Sequence, residues 1–348
     1  MYKMLEYVGN MDQLLEVKNF RYTGGRADGV RAAQVTNQNG LQFTVTADRC
    51  MDISSLRYKG INISYINQCG VVSPQYCEHG ENGWLRSFTA GFLTTCGLDN
   101  VGSPCEENSV KYGLHGRISN TPAEEYCART EIIDGERQAV ISGEMRQSVL
   151  FGEKLILKRE IRAYQREDTI EITDEISNMG FREEEFMILY HFNIGYPFLD
   201  KGCELFIDNE SVISRNQHSE ACKEEMYHIT EPDDLEEMCY YHKMNDRRGI
   251  SAAGMYQAKY QIGFIISYEN DVLDKFIQWK NLSKGQYVMG LEPGSNFVDG
   301  KKAERARDTI KRIGAQEKIK YKIWVRFYDG WEKFQKAWSG YKEGPDIR

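Results

Sequence analysis

A two-residue alternation of apolar and polar side chains, repeated from about residue 30 to residue 328, constrains this chain more than any other pattern. Leu41, Phe43, Val45 and Ala47 alternate with polar neighbours; so do Ile170, Ile172 and Ile176 around Asp174, and Ile262, Phe264, Ile266 and Tyr268. Near the end, Ile319, Tyr321, Ile323, Val325 and Phe327 share one face, and Lys318, Lys320, Lys322 and Arg326 mostly take the other. A period of two is that of a β-strand with one buried face. Turn residues punctuate these runs at Asn37-Gln38-Asn39-Gly40, Asp134-Gly135 and Asn178-Met179-Gly180. Helical stretches are few: a short one from Asn10 to Leu15, capped by Asn10 or Asp12, and one over 330–341. No repeat, linker or compositional break interrupts the series, and 41% hydrophobic content over 348 residues fills a sizeable core. The expectation is an all-β chain, one large antiparallel sandwich over 1–348 with an N-terminal extension to about residue 28 and short peripheral helices.

A net charge of -8 argues against nucleic acid or an anionic membrane as partner. The first residues lack the apolar core of a signal peptide, and no apolar run reaches membrane-spanning length, so a soluble, cytoplasmic protein is expected. The nine cysteines are odd in number and widely spaced, without a CxxC pair, which predicts reduced, mostly buried thiols. No HxH, HExxH or paired His/Cys spacing exists, so neither a metal nor a cofactor is expected. There is no G-x-S-x-G elbow and no phosphate-cradling glycine loop.

The candidate chemistry lies in two segments. His191 follows the apolar run Phe186–Tyr190, with Asn193 two residues on and Gly195-Tyr196-Pro197 closing the segment. Glu292 follows Val288-Met289-Gly290-Leu291 and precedes Pro293-Gly294-Ser295-Asn296. A histidine and a glutamate, each fixed at a strand end, would make an acid–base pair. His115 stands between Gly113-Leu114 and Gly116-Arg117, where glycines allow close backbone approach. His242 follows an aromatic run and could point inward. Asp48, Arg49 and Asp52 end an alternating strand; either they form an ion-pair knot at a sheet edge, or Arg49 points into a polar pocket. Trp279-Lys280 suits a sugar-binding wall and, equally, a core indole beside a surface amine.

In order along the chain, Asn10–Leu14, Ala47-Asp48-Arg49-Cys50-Met51-Asp52-Ile53, Gly91–Gly102, Gly113–Arg117 and the His191 and Glu292 segments resemble the largely uncharacterised aldose 1-epimerase-like branch of the galactose mutarotase superfamily. The resemblance spans nearly the whole chain. It implies a large β-supersandwich that holds a sugar in a cleft on a concave sheet and interconverts its α and β anomers. It implies His191 as the acid that protonates the ring oxygen and Glu292 as the base for the anomeric hydroxyl. His115 would orient the substrate and Arg49 would bind it. Gly116-Arg117 departs from the family signature, and Arg117 would fit a modified or acidic sugar. The sugar-gripping aspartate has no clear counterpart, and His242 is its stand-in. Asn193, Trp279, Lys280 and Asn296 complete the expected sugar contacts. The implied partner is a small sugar, and a homodimer is compatible with this reading. The rivals are a carbohydrate-binding protein without catalysis, though binding alone needs no matched acid and base, and an isomerase of a related modified sugar that uses the same residues.

Overall fold

The structure, a computed structural model, describes residues 6–78 and 80–344. Its larger sheets are antiparallel throughout. An eight-stranded sheet runs, in spatial order, Glu124–Ile133, Glu136–Ser148, Lys154–Tyr164, Thr169–Asn178, Lys318–Asp329, Ile262–Glu269, Ile250–Gln257 and Cys203–Ile207. A seven-stranded sheet contains Asn209–Ser214, Met238–Met244, Lys275–Asn281, Val288–Gly294, Glu184–Gly195 and Lys311–Ile313, and Leu93–Leu98 also pairs with Glu184–Gly195. A five-stranded sheet is built from Leu15–Arg21, Arg31–Asn37, Leu41–Thr46, Asp52–Tyr58 and Ile61–Asn62. One apolar cluster draws on all three, with Leu15, Val35 and Phe43 from the last, Ile141, Ile172 and Val325 from the first, and Phe192 and Leu291 from the second.

The alternation found in the sequence predicts these faces well. Tyr321, Ile323, Val325 and Phe327 are buried, as are Ile262, Phe264, Ile266 and Tyr268. Ile265, on the opposite face of its strand, is buried too, because the helix Trp331–Glu343 lays Phe334, Trp338 and Tyr341 over it. The expected N-terminal extension needs correction. Leu15–Arg21 is an integral strand of the five-stranded sheet, in register with Arg31–Asn37. Among the described residues, the 3-10 turn Met11–Gln13, capped by Asn10, precedes it.

The three charges at the end of Leu41–Thr46 form neither a shared knot nor a pocket. Asp48 pairs with Arg31 at 2.6 Å. Asp52 accepts from the Thr95 backbone and hydroxyl and pairs with the fully buried Arg159 at 3.1 Å. Arg159 also holds Asp174, which in turn accepts from the Tyr190 hydroxyl. Asp174 therefore faces inward with the isoleucines that flank it, and a buried ion pair sits behind the strand that carries His191. Burial raises the Asp52 carboxyl to about 6, against the pull of Arg159. All nine cysteines are free; Cys50, Cys96, Cys203 and Cys239 are buried and the other five only partly so.

Candidate active site

The seven-stranded sheet sets the site. Glu184–Gly195 lies between Leu93–Leu98 and Val288–Gly294, with His191 opposite Thr94 and Phe192 opposite Leu291. His191 does not end its strand, as the sequence suggested; pairing continues to Gly195. Glu292 likewise lies within Val288–Gly294, opposite Ile277. The strand pairing brings the two side chains together: His191 Nε2 is 3.2 Å from Glu292 Oε1, and both groups are almost wholly shielded from solvent.

Gly290 makes this arrangement possible. A Cβ there would come within 3.0 Å of Glu292 Oε1 and stand 3.1 Å from Trp279 Cβ. The missing side chain leaves the space that the carboxyl occupies. Trp279 forms the adjoining wall, its ring centroid 5.3 Å from that of His191, and its indole N–H donates to Glu237 Oε2 at 2.8 Å. Phe88 packs on the other side of His191 at 5.4 Å.

His115 reaches the same place from a tightly stitched loop. Its backbone is left-handed, with φ of 56°. Its N–H donates to Gly102 O, and its carbonyl accepts from Gly97. The Gly102 N–H donates to His115 Nδ1 at 3.3 Å. Because Nδ1 accepts, Nε2 carries the proton of the neutral ring and serves as a donor. The ring lies 5.8 Å from that of His191 and 4.6 Å from that of Trp84. Gly116 is fixed by space, since a Cβ there would collide with Asn100 O and Asp99 Oδ1.

These groups line a cavity of about 510 Å³ with Tyr65, Asn67, Gln68, Arg215, Asn281 and Gln286. That size suits a small molecule. Arg215 donates to Asp299, the Ser103 hydroxyl and Val298 O through Nε and one terminal nitrogen. Asp299 is shared with Tyr241 and Arg307. Burial dominates the titration of the site. It raises Glu292 well above the usual carboxylate range, with Arg215 opposing. It lowers His191 to about 3, with Asn193 pulling weakly the other way, and lowers His115 well below the ordinary imidazole range. Both members of the pair therefore favour their uncharged forms.

The structure gathers His191, Glu292, His115 and Trp279 and disperses the other expected contacts. Arg49 does not reach the cleft: its guanidinium donates to Ser119 O, Val72 O and Ser87 O at 2.6–2.8 Å and ties three loops together. Lys280 follows Trp279 and so faces the back of the sheet, where its ammonium donates to Glu225 O and His228 O. His242 is also behind the sheet, 3.1 Å from Gln278 Oε1, and burial lowers it to about 4. Asn193 donates to Ala90 O and to the His191 carbonyl. Asn296 donates to Glu304 and Thr309 O. Arg117 pairs with Asp99 at 3.4 Å and lines a different cavity of about 970 Å³, which shares Trp84 and Leu114 with the first but holds neither His191 nor Glu292. Sequence reading missed Arg215, Glu237, Trp84 and Phe88. Arg215 enters the cleft through its backbone bond to Cys239 O, a pairing without a local signature.

A model of the family described as domain of unknown function DUF4432 matches residues 27–326. No curated protein matches the chain in sequence. Among solved structures, the chain is similar to a Klebsiella pneumoniae protein provisionally named an aldose 1-epimerase, with 20% identity, TM-score 0.90, and coverage of 97% of this chain and 92% of the other. A galactose mutarotase-like protein of Clostridium acetobutylicum is 12% identical, with TM-score 0.64 and coverage of 91% and 99%. A galactose 1-epimerase of Lactobacillus acidophilus is 13% identical, with TM-score 0.59 and coverage of 91% and 100%. These likenesses establish the galactose mutarotase-like fold.

Proposed function

We propose that this chain, which belongs to the DUF4432 family, is an aldose 1-epimerase-like isomerase that interconverts the α and β anomers of a free sugar or sugar derivative. The observation that carries the reading is the 3.2 Å approach of His191 Nε2 to Glu292 Oε1 at the base of a sugar-sized cavity. Ring opening must protonate the ring oxygen and deprotonate the anomeric hydroxyl. Both oxygens are bonded to the same carbon, so the acid and the base must be close neighbours. Opening breaks the bond from the anomeric carbon to the ring oxygen and leaves an aldehyde and a hydroxyl. Rotation about the adjacent C–C bond exposes the other aldehyde face, and closure returns both protons to their donors.

One mobile proton serves the pair. Burial favours protonated Glu292 beside neutral His191. Transfer of that proton across the contact gives imidazolium beside carboxylate, the arrangement in which His191 is the acid and Glu292 the base. The proton count is the same in both. His115 Nε2–H and the unused terminal nitrogen of Arg215 supply donors for sugar oxygens, Glu237 supplies an acceptor, and Trp279 offers an apolar face for the ring.

The test is anomer exchange measured by NMR over a panel of free sugars. Glu292→Gln keeps the shape of the carboxyl but cannot take up a proton. It should retain sugar binding and lose about 100-fold or more in exchange, the scale of one general acid or base. Near-normal exchange by this variant on the best sugar would sink the mechanism. Sugar binding by the native chain without exchange would leave the carbohydrate-binding reading in its place.

A further inference from the structure

Away from the cleft, two turns at one end of the strands of the eight-stranded sheet carry exposed apolar side chains. The turn between Glu136–Ser148 and Lys154–Tyr164 presents Val149, Leu150 and Phe151, which are 48%, 79% and 94% exposed. The connection after Thr169–Asn178 presents Met179 and Phe181, 47% and 89% exposed. The two are neighbours, since the Met179 N–H donates to Lys154 O at 2.8 Å.

Both turns are firmly folded. The Lys154 ammonium donates to Val149 O, Leu150 O and Gly152 O at 3.2–3.4 Å, and the Val149 N–H donates to Glu153 O. Gln316 Nε2 holds Met179 O and Gly180 O, and the Gly180 N–H donates to Asn178 Oδ1. The polar groups of these segments are thus satisfied inward while the apolar side chains point out. Ordering entropy is already paid, which favours docking.

We propose that this apolar knob is a two-fold interface between two copies of the chain. Two arguments favour a second copy. The first is area. A large aromatic buries ~150–250 Å², so two phenylalanines near nine-tenths exposure with three further apolar side chains offer roughly 600 Å², close to the ~800 Å² per partner of a standard interface. That is also at the top of the range for patches on monomers. The second is charge. The charges that flank the two apolar runs, Glu153 and Lys154 in one and Arg182, Glu183 and Glu184 in the other, are of both signs and nearly cancel, and Arg312 pairs with Glu183 at 3.7 Å. An apolar centre with a balanced rim is self-complementary under a two-fold axis, although the whole chain carries -8. An anionic lipid surface would instead demand a basic surround. The proposal is independent of the catalytic reading.

Light scattering on the eluting full-length protein, across a wide concentration range, tests it. The native chain should show twice its 40.2 kDa mass. Phe151→Asp with Phe181→Asp should halve that mass and keep the native circular dichroism. Tyr7→Asp, which alters an exposed side chain elsewhere, 87% accessible, should leave it doubled. A native chain of single mass at every concentration, or a doubled mass in the double variant, would overturn the proposal. Vesicles of phosphatidylcholine, with and without phosphatidylserine, provide the other arm. Co-sedimentation of a single-mass chain that depends on Phe151 would assign the knob to lipid and overturn it as well.

Discussion

Gly290→Ala perturbs the geometry of the proposed acid–base pair without replacing either member. The backbone at Gly290 needs no left-handed conformation, so alanine fits the strand. Its methyl does not fit the space: the Cβ falls within 3.0 Å of Glu292 Oε1, where ordinary contact begins near 3.4 Å. Trp279 Cβ, 3.1 Å away, blocks retreat on the other side. The carboxyl must therefore shift by about 0.5–1 Å, and the contact with His191 lengthens with it. Misplacement of ~1 Å costs on the order of 100-fold in a reaction that depends on aligned groups. The expected loss of anomer exchange is about 10- to 100-fold. Overpacking costs ~1–3 kcal/mol of stability, which leaves a folded protein that melts a few degrees lower. Exchange NMR at a temperature where both proteins are folded, together with a thermal melt, separates the effects. If Gly290→Ala keeps more than half of the native rate, the Glu292 position is not what sets catalysis.

Arg49→Met should lower the melting temperature sharply and leave sugar affinity unchanged. It removes the donors of three buried carbonyls, each costing ~1–3 kcal/mol when orphaned; weaker sugar binding in a folded variant would return Arg49 to the cleft. The pH dependence of exchange follows from the pair, which needs one shared proton. Activity should fall at low pH only as His191 takes up a second proton, near its lowered value of about 3, and at high pH as Glu292 loses its own, above the usual carboxylate range. A loss of activity centred near the ordinary imidazole value of ~6.5 would mean that His191 is not desolvated as described.

The fold was legible because a β-strand repeats every two residues and a buried face leaves its mark on every second side chain. That rule gave the cores of Ile262–Glu269 and Lys318–Asp329 directly. It could not say that Asp174, inward by the same period, is an ion-pair partner, because Arg159 comes from the neighbouring strand. The site divides in the same manner. Trp279 and Lys280 were one motif in sequence, yet consecutive strand residues face opposite ways, so a sugar wall that includes one must exclude the other. Parity also separates Glu292, which shares a face with Gly290, from Leu291 in the core. Arg49 failed for a different reason. An arginine beside two aspartates implies an ion pair, but each aspartate already has another arginine, and the guanidinium is left to serve loop carbonyls brought from residues 72, 87 and 119. Motif order along the chain singled out the proposed acid and base, and both lie within paired strands whose register brings their side chains together. The expected contacts that scattered depend on partners distant in sequence or on the unread side of a strand. A reading that assigned a face to every strand residue before assigning roles would have kept His191, Glu292 and Trp279 together and set Lys280 and His242 behind the sheet.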